Sequence, residues 1–287
     1  MKETEHTERI LSLLPPKLRQ ELEKQNLNEI DEIRLRIGQP PAIVRSLTER
    51  PLTDAEVCRQ DLDSIVMAAS GCSVYSVQNQ LSSGYLILPG GHRLGICGTI
   101  VQERGRIYTI RDFSSLSIRF ARWVDADISA LQPFLEDDLL VIGPPGSGKT
   151  TLLRSLIRAV SESGSRVGVA DERGEIAAVY EGKPQFPLGP CTDVMSGGKK
   201  SESMLLLLRA MTPAWLAIDE ITAPEDVQAV RQVSYCGARL FATAHAQNVG
   251  ELAARPLYRE LIELGVFKRA VVLNEERSFT VEEVAKC

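Results

Sequence analysis

Residues 139–162 read LLVIGPPGSGKTTLLRSLIRAVSE, an apolar run followed by a glycine-rich turn and a helical pattern. The turn matches G-x-x-x-x-G-K-[ST] through Gly143, Gly148, Lys149 and Thr150, in the strand–loop–helix context that this motif requires. Glycines let backbone N–H groups curl around phosphate oxygens, and the start of a helix adds a favourable dipole. The stretch therefore predicts a phosphate-binding loop in an α/β domain.

This loop predicts that the chain binds ATP together with Mg²⁺. Lys149 is expected to neutralise the β- and γ-phosphates, and the Thr150 hydroxyl is expected to ligate Mg²⁺. We expect every residue of the loop to contact the nucleotide: Gly143, Pro144, Pro145, Gly146, Ser147, Gly148, Lys149, Thr150 and Thr151.

A second motif supplies the acidic residues that such a site needs. The segment AWLAIDEI (214–221) is an apolar strand that ends in Asp219 and Glu220. Asp219 is expected to hold the hydrated Mg²⁺, and Glu220 is expected to polarise the attacking water. Acidic residues at both positions favour hydrolysis of ATP over simple nucleotide storage.

The apolar runs around these motifs predict a parallel sheet. Runs at 139–143, 166–170, 214–218 and 238–243 alternate with helical patterns, which lie at 149–162, 203–211 and 224–235. Continuous apolar strands separated by helices are typical of a sheet covered on both faces. The tail after residue 274 is expected to add a late hairpin.

Two further strand ends carry polar side chains. Asp171 and Glu172 follow the second predicted strand, and Thr243 and His245 lie at the end of the fourth. Ligands of open α/β sheets bind at the carboxyl ends of the strands. We therefore expect all four side chains to face the nucleotide, with His245 either sensing the γ-phosphate or forming part of a hydrogen-bond network.

The first 123 residues predict a separate, small α+β domain. Residues 9–27 indicate one or two short helices, and 53–70 indicates a helix with Thr53 as its N-cap. Strands are expected at 30–44, in a hairpin over 85–101, and at 114–124. We place the domain boundary there, giving an N-terminal domain of residues 1–123 and a P-loop ATPase domain of residues 124–287.

Composition excludes several other classes of protein. The 287 residues carry a net charge of −5, which does not favour a globally nucleic-acid-binding protein. No run approaches the roughly 20 apolar residues of a membrane-spanning helix, and the N-terminus is too polar for a signal peptide. We expect a cytosolic protein whose six cysteines are free thiols, since none of them forms a CxxC pair.

The motifs and their order resemble those of the type II/IV secretion ATPases, which include the pilus-retraction motors. GPPGSGKT, ADERGE, LAIDE and ATAHA are similar to that superfamily's Walker A, acidic, Walker B and histidine boxes. The segments IDEIRLRIGQPPAI (30–43) and SSLSIRFAR (114–122) are similar to its N-terminal domain. Within the superfamily, the RxxTP segment before Walker B and the compact length resemble the branch that serves stage III of endospore formation.

The resemblance implies a RecA-like motor that acts as a hexamer. It also implies an ATPase in the mother-cell cytoplasm, held peripherally at the membrane by a membrane protein of the stage III sporulation channel complex. Arginines of the N-terminal domain complete the site in this superfamily, and the candidates here are Arg93, Arg111, Arg119 and Arg122, with Arg119 and Arg122 preferred. The acidic box reads Asp-Glu-Arg rather than Glu-Asp-Pro, so either Asp171 or Glu172 can be its catalytic carboxylate, and we assign Glu172.

Residues 195–200, MSGGKK, raise an alternative, because a Ser-Gly-Gly signature precedes Walker B in ATP-binding cassette transporters. The interval from Lys149 to Ser196 is too short for a cassette's helical subdomain, so we instead expect a mobile loop at a subunit face or pore. Lys199 and Lys200 would then be exposed, and Ser201 or Ser203 would cap the next helix. A nucleic-acid-binding ATPase and a scaffold that binds ATP without turnover are the remaining alternatives.

Overall fold

A computed structural model describes residues 3–46, 48–71 and 77–284 and divides the chain into two units. The first unit comprises Met1–Arg122 together with Ala178–Gln185, and the second comprises Trp123–Ala177 together with Phe186–Cys287. We expected a single boundary after residue 123. The structure differs, because residues 178–185, from within the predicted P-loop domain, belong to the first unit. There, the backbone N–H of Gly90 donates to Gln185 Oε1 at 2.8 Å.

The first unit is a six-stranded antiparallel sheet with short helices. Its helices are α1 (Glu3–Ser12), α2 (Pro16–Glu23), α3 (Arg59–Ala69) and α4 (Gln78–Ser82). Its strands are β1 (Glu32–Arg36), β2 (Ala42–Arg45), β3 (Thr48–Pro51), β4 (Tyr85–Ile87), β5 (Arg93–Glu103) and β6 (Arg106–Arg119), in the order β3-β2-β1-β6-β5-β4. Its core draws on both element types, because Leu22, Leu62, Ile33 and Ile118 are fully buried in one cluster.

Two predictions for this unit were wrong in detail. Helix α3 begins at Arg59 rather than near Thr53, because the Val57 N–H donates to Gln39 O and Val57 O accepts from the Gly38 N–H, both at 2.9 Å. The backbone at Val57 therefore forms hydrogen bonds with the loop after β1 and is not part of the helix. The strand predicted at 114–124 instead starts at Arg106 and ends at Arg119, as half of a long hairpin with β5.

The second unit is a seven-stranded sheet covered by helices. Its strands are β7 (Leu139–Ile142), β8 (Val167–Asp171), β9 (Thr192–Ser196), β10 (Trp215–Ile218), β11 (Arg239–Ala244), β12 (Arg269–Leu273) and β13 (Phe279–Glu283). Its helices are α5 (Lys149–Glu162), α6 (Lys200–Met211), α7 (Pro224–Tyr235), α8 (Val249–Ala254) and α9 (Pro256–Leu264). The order is β13-β12-β7-β11-β10-β8-β9, and every pair is parallel except β12 with β13.

This topology confirms the predicted α/β fold with a mostly parallel sheet. All residues of β7, β8 and β10 are buried, as expected of strands packed on both faces. Strand β7, which leads into the phosphate-binding loop, lies between β11 and β12 in the interior of the sheet. The carboxyl ends of β7, β10 and β11 therefore share one edge, which is where the site is built.

The loop expected over residues 195–200 is shorter than predicted, because only residues 197–199 lie outside a strand or helix. Met195 and Ser196 belong to β9, which pairs in parallel with β8, and α6 begins directly after the short turn at Gly197 and Gly198. Lys199 is exposed, but Lys200 is 6% exposed. The side chain at the N-cap position, that of Lys199, makes no capping hydrogen bond, so neither predicted serine caps this helix.

Among the described residues, no helix is both long enough and apolar enough to cross a membrane. Cys58, Cys97, Cys191 and Cys236 are free thiols, while Cys72 and Cys287, which carry the same prediction, lie outside the described residues.

Candidate functional site

The phosphate-binding loop is shaped by glycines whose replacement would strain the backbone or create a close contact. Gly146 and Gly148 have φ angles of +78° and +96°, a region that favours glycine and turns backbone N–H groups towards one centre. A Cβ on Gly143 would lie 2.7 Å from Ser147 Oγ and 2.8 Å from Leu273 O. The Ser147 hydroxyl is buried and has no hydrogen-bond partner within the described part of the chain, so a ligand oxygen in the loop could satisfy it.

The lysine of the loop is folded back onto backbone oxygens. Lys149 Nζ donates to Gly143 O at 2.9 Å and to Pro144 O at 2.8 Å, and it lies 3.1 Å from His245 Nδ1. Burial lowers the pKa of Lys149 from its usual value, and the nearby carboxylates of Asp219 and Glu220 oppose this shift. Both acids therefore stabilise the charged form that a phosphate would need.

Asp219 joins the phosphate-binding loop to the ends of two strands. Thr150 Oγ1 donates to Asp219 Oδ2 at 2.9 Å, and Thr243 Oγ1 donates to Asp219 Oδ1 at 2.5 Å. The Glu220 N–H in turn donates to Thr243 Oγ1 at 2.7 Å. Thr243 is fully buried, and it sets the position of both acidic residues.

Glu220 occupies a left-handed backbone conformation, with φ +50°. Its carboxylate lies 3.2 Å from His245 Nε2 through Oε1 and 3.2 Å from Arg173 Nη1 through Oε2. Such a conformation is uncommon for a residue with a Cβ and is over-represented at functional sites. Arg173 was not singled out from the sequence, because a lone arginine in an acidic box carries no recognisable spacing.

His245 links the lysine to the catalytic candidate Glu220. An ammonium group can only donate, so Nδ1 accepts from Lys149, and the ring proton of the neutral histidine then sits on Nε2, facing Glu220. This places His245 within a hydrogen-bond network, one of the two roles predicted for it.

A cavity of about 910 Å³ opens beside these residues. Its lining includes the predicted Lys149, Thr150, Asp219, Glu220, Thr243 and His245, which the structure therefore brings together. It also includes two stretches that the sequence did not indicate, residues 124–127 before β7 and the turn around Arg277 between β12 and β13. Both come from loops without motif spacing, so only the topology could have revealed them.

Asp171 and Glu172 do not face this cavity as expected. Asp171 is 2% exposed, and its carboxylate accepts from the N–H groups of Glu175, Ile176 and Ala177 at 2.8 to 3.1 Å, which organises the loop after β8. Glu172 is exposed and accepts from the Lys200 N–H at 3.3 Å. The carboxylate residue of this loop that does line the cavity is Glu175.

The preferred arginines of the first unit differ in their contacts. Arg122 donates to Asp31 Oδ1 at 2.9 Å and to the carbonyls of Asn28 and Ile30 at 2.7 and 2.8 Å. Arg119 has a side chain that is 64% exposed and lies 3.7 Å from Glu32. Arg122 thus ties together the backbone ahead of β1, whereas Arg119 is the one that projects.

The other two arginine candidates also have partners within the first unit. The Arg93 guanidinium lies 3.7 Å from the centroid of the Tyr85 ring, and Arg111 Nε lies 3.6 Å from Asp112 Oδ2.

The residues at the loop fit a Mg²⁺ ion. Thr150 and Asp219 present adjacent oxygens, and Mg²⁺ in nucleotide sites is typically held by one or two protein oxygens, phosphates and waters. No cluster of three or more His, Cys, Asp or Glu side chains suited to a metal occurs among the described residues. Thr150 and Asp219 are therefore the side chains that would hold the ion.

Comparison with known proteins gives a match over nearly the whole chain. Residues 4–283 match the model of the family described as Sporulation stage III, protein AA. The stage III sporulation protein AA of Bacillus subtilis (strain 168) is 33% identical over 281 residues, covering 93% of this chain and 91% of that protein.

Two solved structures share the fold at 17% identity. The ATPase DotB of Legionella pneumophila superposes with a TM-score of 0.61, covering 93% of this chain and 79% of that one. The pilus retraction motor PilT, solved with bound ADP, gives a TM-score of 0.60 over 88% of this chain and 76% of that one.

Proposed function

Because the chain belongs to the Sporulation stage III, protein AA family, we propose that it is a Mg²⁺-dependent ATP hydrolase that works in endospore formation. The observation that carries the proposal is the connected set Thr150–Asp219–Thr243–Glu220, which joins the phosphate-binding loop to a carboxylate at the cavity. The ADP in the pilus retraction motor, whose fold this chain shares, supports a nucleotide as the ligand.

The backbone N–H groups of residues 143–151 and the Lys149 ammonium would bind the phosphates. Lys149 would exchange its contacts with the Gly143 and Pro144 carbonyls for phosphate oxygens, which are stronger acceptors because they are charged. Bound Mg²⁺ would neutralise charge that develops on the phosphate oxygens. Thr150 and Asp219 would orient that ion through their adjacent oxygens.

Glu220 would act on the attacking water. Its carboxylate would accept a proton as the water oxygen forms a bond to the γ-phosphorus and the bond to the β–γ bridging oxygen breaks. The Nε2–H of His245 and the guanidinium of Arg173 hold this carboxylate. His245 also contacts Lys149. If the lysine moved to a phosphate, His245 would lose that contact, and its hydrogen bond to the Glu220 carboxylate would change as well.

We retain Arg119 as a candidate for contacting the nucleotide of a neighbouring subunit, since its guanidinium is exposed and its planar fork suits phosphate oxygens. Glu172 and Arg122 make other contacts, described above, and any role of theirs in catalysis would be indirect. The assembly proposed is a hexameric ring, in keeping with the secretion-ATPase fold.

The wider role proposed is to power assembly of, or transport through, the channel complex between mother cell and forespore. The protein would work in the mother-cell cytoplasm and reach the membrane through a membrane protein of that complex. Support comes from the family match and from the fold, which is shared with an ATPase and a pilus motor.

The proposal is tested by comparing the wild-type protein with Glu220→Gln. We expect the wild type to release phosphate from ATP only when Mg²⁺ is present. The variant should bind a fluorescent ATP analogue as tightly as the wild type, yet hydrolyse ATP at least about a hundredfold more slowly, since general-base catalysis contributes that much. Unchanged hydrolysis by a folded Glu220→Gln variant would remove Glu220 from the mechanism.

A further inference from the structure

The backbone at Glu220 needs an external support. Its φ of +50° is disfavoured for a residue with a Cβ, and the turn must hold this conformation for the carboxylate to reach His245. Thr243 holds the N–H side of the residue through a 2.7 Å hydrogen bond. The carbonyl oxygen of Glu220 accepts a hydrogen bond from a different side chain.

That group is the ammonium of Lys200, in the first turn of α6. Its Nζ donates to Glu220 O at 2.6 Å and lies 3.4 Å from both Asp219 O and Thr222 Oγ1. The Lys200 side chain is only 7% exposed. An ammonium group carries three donors, and here they meet acceptors on Asp219, Glu220 and Thr222 around the turn that follows β10, two of them backbone carbonyls.

The charge of Lys200 is matched by two carboxylates. Asp226 Oδ2 lies 3.6 Å and Glu172 Oε2 lies 3.8 Å from its Nζ. Asp226 is itself fixed at the start of α7, where it accepts from the N–H groups of Thr222 and Ala223 at 3.0 Å each. Lys200 therefore joins the loop after β8, the turn after β10 and the start of α7.

We propose that Lys200 is a positioning residue for ATP hydrolysis, which acts by holding the Glu220 carbonyl so that the Glu220 carboxylate faces the cavity. This inference rests on the proposed function. Lys200 is absent from the lining of the cavity at the phosphate-binding loop, so its effect would be on turnover and not on nucleotide affinity. Both Lys199 and Lys200 were expected to be exposed, and it is the buried one, Lys200, that contacts the acidic turn.

The test measures kcat, KM for ATP, affinity for a fluorescent ATP analogue and the melting temperature of Lys200→Met. We expect kcat to fall by about tenfold or more while KM and affinity change by less than about threefold, the pattern of a lost transition-state contribution. Lys199→Met is the matched control, because that neighbouring lysine is exposed and its side chain makes no capping bond. It should leave kcat and melting temperature at the wild-type values.

A second variant separates a loss of activity from a loss of folding. Lys200→Met combined with Asp226→Asn removes both charges of the buried pair and keeps an acceptor for the N–H groups of Thr222 and Ala223. It should melt near the wild type and still have low kcat. Wild-type kcat in either folded variant, or loss of affinity in step with kcat, would overturn the positioning role. If the wild type itself released no phosphate, the proposed function would fail and this inference with it.

Discussion

His245 connects two side chains of the site, those of Lys149 and Glu220. Its ring nitrogens lie 3.1 Å from Lys149 Nζ and 3.2 Å from Glu220 Oε1, so the lysine proposed to bind phosphate and the acid proposed to act on water contact the same imidazole. The sequence could predict that His245 lies at this edge, because the carboxyl ends of parallel strands lie together. It could not show Arg173 or Lys200, since their roles depend on side-chain direction across loops.

Arg122 yields a prediction about stability and pH. Its hydrogen bond lowers the pKa of Asp31 below the usual value, so the pair stabilises the first unit above that value and loses this contribution as pH falls through the lowered pKa. Arg122→Ala should reduce the free energy of unfolding at pH 7 by about 1–2 kcal/mol, since two backbone carbonyls also lose a donor.

Chemical denaturation at neutral and acidic pH measures this effect. The difference between wild type and Arg122→Ala should shrink at a pH low enough to protonate Asp31, where the two carbonyl contacts alone remain. A difference of the same size at both pH values would show that the ion pair of Arg122 with Asp31 contributes nothing to the stability of this unit.

At the scale of elements, the end of β7 is packed too tightly against β12 for any side chain. Gly143→Ala would bring a Cβ within 2.8 Å of Leu273 O, so we expect a loss of about 1–3 kcal/mol in stability and weaker nucleotide binding. In Gly95→Ala the new Cβ would lie 3.6 Å from its nearest neighbour, in ordinary contact, so this control should cost less. Equal melting temperatures for the two variants would contradict the packing argument.

The elements that were predicted well are the buried strands and the helices that pack on them. Strands β7, β8, β10 and β11 are short apolar runs, and helices α5 and α7 have the expected bounds. The misses have a common physical origin in tertiary pairing. Strand β9 is only half-buried and reads as a loop, yet its backbone pairs with β8. The β5–β6 hairpin turns at Arg104 and Gly105, both with positive φ, and its outer half is largely exposed.

Each of the two units of the molecule consists of two separate stretches of the chain, whereas the sequence suggested one stretch for each. Residues 178–185 lie between β8 and β9 of the second unit's sheet, yet they group with the first unit. No local pattern marks this segment, because its place depends on contacts distant in sequence, such as that of Gln185 with Gly90. The family and the fold were nevertheless predictable, since the order of four motifs along the chain is a property of the whole sequence.

The central claim, that this chain is an ATPase working as a ring, is tested most directly by one titration. Phosphate release per protomer would be measured across a range of protein concentrations with Mg²⁺ and ATP, with the particle mass determined in the same samples. We predict that the rate per protomer rises as the mass increases from one protomer to a hexamer. A well-folded protein that stays monomeric at high concentration, with a constant rate per protomer or none, would contradict the account.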